Sequence, residues 1–220
     1  MDKLLIIQPG RFGDILICLP IAKWYAKDFD VEWLCSERFH PIFRNIDYCQ
    51  PISDRKTGYK EILDLSFGIV METEVEKWWK ETREFLFSFV EGKYIQGGVA
   101  LSERWNLSWK RNYEKENELL HIVVKKYGDD YNLVHEKSEG RFERNILVDK
   151  KVIFAPIKGF NIFDWYLVIK HAKAIHCIDS VLCNFVEVIC EWKQPKFYYD
   201  NAKDPQWNKT IIRNNWRIIK

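Results

Sequence analysis

Two short stretches of this 220-residue sequence set glycine, carboxylate and hydroxyl side chains where an apolar run gives way to a helical pattern. The first is Gly10-Arg11-Phe12-Gly13-Asp14, which follows the run LLII and the turn pair Pro9-Gly10. Glycine lets a backbone turn tightly and come close to a ligand. The first amides of the helix that follows have no partner inside the helix and favour an anion. At such a corner Asp14 caps the helix while the glycines make a turn, or it belongs with them to a ligand site. Arg11 is either a solvated loop residue or part of the same ligand site. The spacing G-x-x-G-D is not the dinucleotide fingerprint G-x-G-x-x-G, and no cofactor is expected.

The second stretch is AIHCIDSVLCNFVEVI, residues 174–189. An apolar strand runs into Asp179-Ser180 and then into a helix, and ligands of open α/β sheets bind at that edge. The Ser180 hydroxyl and the first helical amides could hold a phosphate; equally, Asp179 and Ser180 are a capping pair. Cys183 and Cys190 are seven apart on one helix face, a spacing that packing explains. Trp105, Trp109, Lys110, Arg111, Tyr113 and Glu114 form a further cluster. Aromatic and basic groups together stack a sugar or hold a diphosphate, or they pack as a hinge with salt bridges. His40, His121, His171 and His176 show no metal spacing, and no metal site is expected.

The elements that position these residues are legible as alternating patterns. Strands are expected at Lys3–Gln8, Val31–Cys35 and Glu61–Ser66, with a helix from Asp14 to Lys27 that kinks or starts late at Pro20. A long helix is expected over Glu72–Glu91, and Gly97-Gly98 breaks the chain. A helix through Leu119–Tyr127 stops at Gly128. The pattern then begins again: strands at Tyr131–His135 and Val152–Ile157, a helix at Phe163–Ala172, a strand at Ala174–Ile178, a helix at Val181–Glu191 and a strand at Lys196–Tyr199. Strands alternating with helices imply parallel pairing. The fold class is therefore α/β, two Rossmann-like lobes with parallel sheets, divided as 1–128 and 129–220.

Bulk composition narrows the function classes. The chain is 47% hydrophobic and 15% aromatic, enough to build a core. A net charge of +2, from 34 basic and 32 acidic residues, speaks against a partner that is nucleic acid. No apolar run reaches the ~18–20 residues of a membrane span, and the start lacks the roughly 7–15 apolar residues of a signal peptide. A cytoplasmic protein is expected, its six cysteines being small buried hydrophobes.

The segment LLIIQPGRFGDILICLPIAKWYAKDF resembles the amino-terminal strand–loop–helix of heptosyltransferase-type glycosyltransferases, both in G-x-x-G-D and in Leu19-Pro20. GFNIFDWYLVIKHAKAIHCIDSVLCNF, residues 159–185, resembles the same superfamily's carboxyl lobe, where a helix leads to a strand ending in Asp-Ser/Thr. The resemblance implies a GT-B arrangement, two lobes facing each other across a cleft. It puts a hydroxyl acceptor, such as a glycan, on the first lobe and a nucleotide-sugar donor on the second. Asp14 matches the general base, with Gly10, Arg11 and Gly13 around it. Asp179, Ser180 and Val181 match the donor corner. Lys137, Ser138 and Arg141 follow the first strand of the second lobe; Lys137 and Arg141 are phosphate contacts or plain solvated loop. Phe160 and Asn161 border the nucleoside, although Asn161 is also a good N-cap. Family members work without a bound metal. They also follow Asp-Ser/Thr with Gly and a His, where this chain has Val181 and Asn184. The alternative function is a non-catalytic nucleotide- or glycan-binding protein that keeps the fold.

Overall fold

The computed structural model describes residues 1–66, 89–138, 142–189, 194–200 and 215–220. They fall into two units, Met1–Lys110 and Arg111–Lys220. In the first unit, β1 (Asp2–Ile7), β2 (Phe29–Leu34), β3 (Gln50–Ile52) and β4 (Glu61–Asp64) form one parallel sheet in the order β3-β2-β1-β4. Leu4, Leu5 and Ile6 are successive and all fully buried. A strand whose consecutive residues are all hidden is covered on both faces, as the centre of a parallel sheet must be.

Helix α1 (Phe12–Tyr25) follows β1. It starts before Asp14 and runs on through Pro20, so the late start expected from that proline does not occur. Proline removes the amide that would bond the Leu16 carbonyl. The neighbouring Ile17 carbonyl takes a hydrogen bond from the Tyr94 hydroxyl at 2.9 Å. Ile15 to Ala22 are all buried, and packing of this apolar segment outweighs the lost bond. The expected helix over Glu72–Glu91 lies largely outside the described residues; α2 (Phe89–Gln96) runs to the glycine pair, where Gly98 turns with φ 63°.

The second unit opens with α3 (Tyr113–Tyr127), capped by the Asn112 side chain on the Lys115 amide and ended by Gly128 at φ 81°. The helix ahead of Gly128 thus belongs to this unit. Five strands form its parallel sheet: β5 (Asn132–His135), β8 (Lys151–Ile153), β9 (Ala174–Cys177), β10 (Lys196–Tyr199) and β11 (Arg217–Ile219). Their order is β11-β10-β9-β5-β8. A two-residue hairpin, β6 (Lys137–Ser138) with β7 (Phe142–Glu143), leaves the end of β5. α4 (Tyr166–His171) precedes β9 and α5 (Val181–Ile189) follows it. β8 stops at Ile153, short of the expected Ile157; Pro156 has no amide for the ladder, and Gly159 (φ 90°) turns the chain toward α4.

Leu133, Val134, Ile175 and Cys177 are fully buried and make the sheet core. Cys18, Cys35, Cys49, Cys177 and Cys183 are buried thiols, as expected of small hydrophobes; Cys190 lies outside the described residues. Among the described residues no helix is long and apolar enough to cross a membrane.

Candidate functional site

Strand order decides where a ligand can bind on each sheet. From β1 the first sheet grows through β2 and β3 on one side, and the chain then returns to place β4 on the other. The crevice between the carboxyl ends of β1 and β4 is the switch point, the place where open α/β sheets take ligands. Gly10 to Asp14 leave β1 there. In the second sheet β8 lies on one side of β5, while β9, β10 and β11 extend the other. Its switch point is β5/β9, and Asp179-Ser180 leave β9 there. The topology therefore puts each corner at the switch point of its own sheet.

The backbone of the first corner carries one surprise. The left-handed conformation falls on Arg11 (φ 61°, ψ 129°) rather than on Gly10 or Gly13. A non-glycine residue in this region costs about 1–3 kcal/mol. Arg11 is the N-cap of α1, and its carbonyl accepts the Ile15 amide at 3.0 Å. A guanidinium has no acceptor atom, so the N-cap side chain leaves the first amides of α1 uncapped. The N-cap position is thus Arg11, and Asp14 stands two residues inside the first turn, half-buried. Gly10 is buried, Gly13 half-buried and Arg11 exposed.

Beneath this corner lies a buried polar knot. Gln8 is fully buried; its amide donates to the Leu65 carbonyl at 2.7 Å, while its main-chain carbonyl takes the Trp33 indole N–H at 3.1 Å. Lys93 of α2, also fully buried, donates to the same Leu65 carbonyl at 2.5 Å. Nothing in the sequence pattern signals this pairing, because its three members lie far apart along the chain.

At the second corner Ser180 is the residue before α5. Its carbonyl accepts the Asn184 amide at 3.1 Å, while its hydroxyl reaches the Cys183 amide only at 3.4 Å. That is the outer edge of a hydrogen bond, so the hydroxyl is weakly engaged as a cap. Ser180 and Val181 are half-buried. Asn184 is 5% exposed, and its Oδ1 is buried with no partner among the described residues.

The other second-unit residues leave the same carboxyl edge. Lys137 lies in β6 and pairs across the hairpin with Glu143 at 3.1 Å, both side chains being exposed. Ser138 ends β6; Arg141 lies outside the described residues. His135 closes β5 against the Phe154 ring at 5.0 Å, and burial holds its imidazole down at about 4, so it is neutral near pH 7. Phe160 and Asn161 follow β8. The Lys115 ammonium sits 4.9 Å from the Phe160 ring centre. Asn161 takes the Phe163 amide on its side chain at 2.8 Å, and the Asp164 carboxylate takes the Asn161 amide at 2.8 Å. This reciprocal pair is a capping box. Burial raises the Asp164 pKa against the pull of the Asn161 amide.

Of the Trp-containing cluster, Arg111 is committed to structure. It forks onto the buried Glu116 carboxylate, with Nε at 2.9 Å, and lies over the Tyr166 and Tyr113 rings at 3.8 and 4.6 Å. His176 is likewise structural, stacked on Phe197 at 4.6 Å and bonded to the Tyr199 hydroxyl at 3.0 Å.

No model of a known protein family matches the chain, and no curated protein matches it in sequence. Solved structures do match it in shape. A family 9 glycosyl transferase from Veillonella parvula aligns over all of this chain and 87% of its own, with TM-score 0.63 and 11% identity. The E. coli heptosyltransferase WaaC, solved with ADP-2-deoxy-2-fluoro heptose, aligns over 99% of this chain and 93% of its own, with TM-score 0.54 and 14% identity. The iron-containing dodecameric glycosyltransferase TibC from enterotoxigenic E. coli aligns over 94% of this chain and 60% of its own, with TM-score 0.54 and 11% identity. The likeness is one of fold: two α/β units with parallel sheets, the heptosyltransferase-type GT-B fold.

Proposed function

We propose that this chain is a cytoplasmic glycosyltransferase that moves a sugar from a nucleoside-diphosphate sugar to a hydroxyl acceptor, without a bound metal. The observation that carries the proposal is the place of the two corners. Each leaves the switch point of its own parallel sheet, in a chain whose fold is shared with sugar-transferring enzymes. The acceptor belongs to the first unit and the donor to the second. WaaC was solved with an ADP-sugar analogue, which makes a nucleotide-sugar the donor class to try first.

In the proposed step the acceptor oxygen attacks the anomeric carbon, and the bond from that carbon to the diphosphate oxygen breaks. The nucleoside diphosphate leaves with the electron pair, and the acceptor proton passes to the Asp14 carboxylate. Gly10, Arg11 and Gly13 shape the acceptor side. Developing charge on the diphosphate is met by the first amides of α5 and by the weakly engaged Ser180 hydroxyl, with Asp179 and Val181 forming the corner. Lys137 and Arg141 are the proposed cationic contacts, and Ser138, Phe160 and Asn161 the residues bordering the nucleotide.

A second reading, binding without transfer, is favoured by Asn184, whose side chain is turned into the core where family members carry a histidine. One experiment separates the two. A thermal-shift screen against ADP, UDP, GDP and their sugars identifies the donor, and release of nucleoside diphosphate in the presence of hydroxyl acceptors is then followed. Release supports transfer. Binding with no release across the acceptor set supports the second reading, and no binding in this screen sinks transfer and leaves of the second reading only a glycan-binding protein.

A further inference from the structure

β9 lies between β5 and β10 in the second sheet, and its end runs into Asp179-Ser180. Arg144, just past β7, is fastened to the strands on both sides of it. Its amide donates to the carbonyl of Glu136, the residue after β5, at 2.8 Å. Its guanidinium donates to the carbonyls of Asp200 at 3.3 Å and Lys220 at 2.9 Å, the residues after β10 and β11. The same group lies 5.2 Å from the centre of the Tyr199 ring. Neighbouring strands are about 4.8 Å apart, so β5 and β10 are separated by about 10 Å. Only a long side chain crosses that interval, and the fork of a guanidinium lets it hold two carbonyls at once. Arg144 therefore spans, along the carboxyl edge, the width that β9 fills. Glu136 makes a second tie: its carboxylate accepts the Ile146 amide at 3.1 Å and the Lys151 ammonium of β8 at 2.5 Å. Both ends of the β6/β7 hairpin are thus fastened, and Lys137 and Ser138 are the next two residues after Glu136.

We propose that Arg144 is a positioning residue for the donor edge. By tying the base of the hairpin to the ends of β10 and β11, it fixes where Lys137 and Ser138 stand relative to Asp179-Ser180, without itself touching the nucleotide. The proposal deepens the reading of the second unit as the donor side and rests on it. A two-stranded hairpin is marginal on its own, and this one has two residues per strand. Its cross-strand pair, Lys137 with Glu143, is exposed on both sides, and an exposed pair of that kind holds little by itself. The placement of the hairpin therefore depends on its base. A hairpin freed there loses conformational freedom each time a ligand binds, and affinity falls by that cost.

The test compares full-chain wild type with Arg144→Met and Arg144→Lys in two readouts. The first needs no ligand. It is NMR-detected amide exchange at positions 144 and 146, whose bonds end on Glu136, against the Phe154 amide held by the Val134 carbonyl inside the sheet. Exchange at 144 and 146 should be about tenfold or more faster in Arg144→Met, with Phe154 unchanged. The second readout is the dissociation constant for ADP, UDP and GDP, which share the diphosphate; it should rise about tenfold in the variant. Arg144→Lys keeps the charge but not the fork, so it should stay close to Arg144→Met in both. Unchanged exchange at 144 and 146 overturns the proposal, and so does faster exchange with unchanged affinity. Wild-type affinity in Arg144→Lys with the hairpin still loose overturns it too, because Arg144 then acts as a charge on the ligand. Should Arg144→Met not fold, Arg144→Lys carries both readouts, and loss of the whole fold in both makes Arg144 a core residue and ends the proposal. A wild type that binds none of the three diphosphates sinks sugar transfer and the donor role of Arg144 with it, while the exchange readout still decides whether Arg144 holds the hairpin.

Discussion

Removing the Ser180 hydroxyl separates a cap from a ligand contact. A well-made serine cap contributes about 0.5–2 kcal/mol. The Ser180 hydroxyl stands 3.4 Å from the Cys183 amide, so its capping share belongs at the bottom of that range. Ser180→Ala should then cost about 0.5 kcal/mol, or about 1–2 °C in melting temperature for a chain of this size. A hydrogen bond to a charged phosphate oxygen contributes about 1.5–3 kcal/mol. Its loss weakens nucleoside-diphosphate binding by about 10- to 100-fold. Isothermal titration with the diphosphate chosen by the thermal-shift screen reads the second number, and urea unfolding reads the first. A variant that binds as wild type does but melts several degrees lower would show that Ser180 only caps α5.

Other perturbations follow from the same geometry. Asn161→Ala removes one half of the capping box and should cost about 1–2 kcal/mol in urea unfolding; a smaller cost together with a large loss of nucleotide affinity would make Asn161 a ligand contact first. Glu116→Leu leaves the Arg111 guanidinium, 27% exposed, without its carboxylate, and should destabilise the second unit by about 2 kcal/mol with nucleotide affinity unchanged. His135 and His176 are both pushed down by burial, from 6.5 to about 4. The unfolded chain binds their protons first, so the stability they contribute is complete above pH 6.5 and falls away toward pH 4. Melting temperature should therefore drop from pH 7 to pH 5, less steeply in His176→Phe; an equal slope in that variant would remove His176 from the explanation.

The alternation of strands and helices was legible because apolar runs and helical faces have distinct periods. Both corners were legible because glycine, aspartate and serine are rare combinations between such runs. Other features come from tertiary pairing and leave little local trace. β3 and β11 are three-residue strands, too short for a period to register. The passage of α1 through Pro20 depends on burial of the whole helix and on Tyr94, 77 positions away in sequence. The strained residue of the first corner is Arg11 rather than a glycine, because the bend needed at the N-cap falls one residue past Gly10. The Gln8–Leu65–Lys93 junction joins two strand ends to a distant helix, so its polar members read as ordinary solvated residues until the strand order is known.

The most direct measurement compares wild type with Asp14→Asn in donor affinity and in release of nucleoside diphosphate to an acceptor. Proton abstraction by a positioned carboxylate accounts for about 10²–10⁴ in rate, while the proposed donor contacts lie on the second unit. Release should fall by at least about a hundredfold with the donor dissociation constant unchanged within a factor of two or so. Equal turnover in the variant would contradict the assignment of Asp14 and the chemistry built on it.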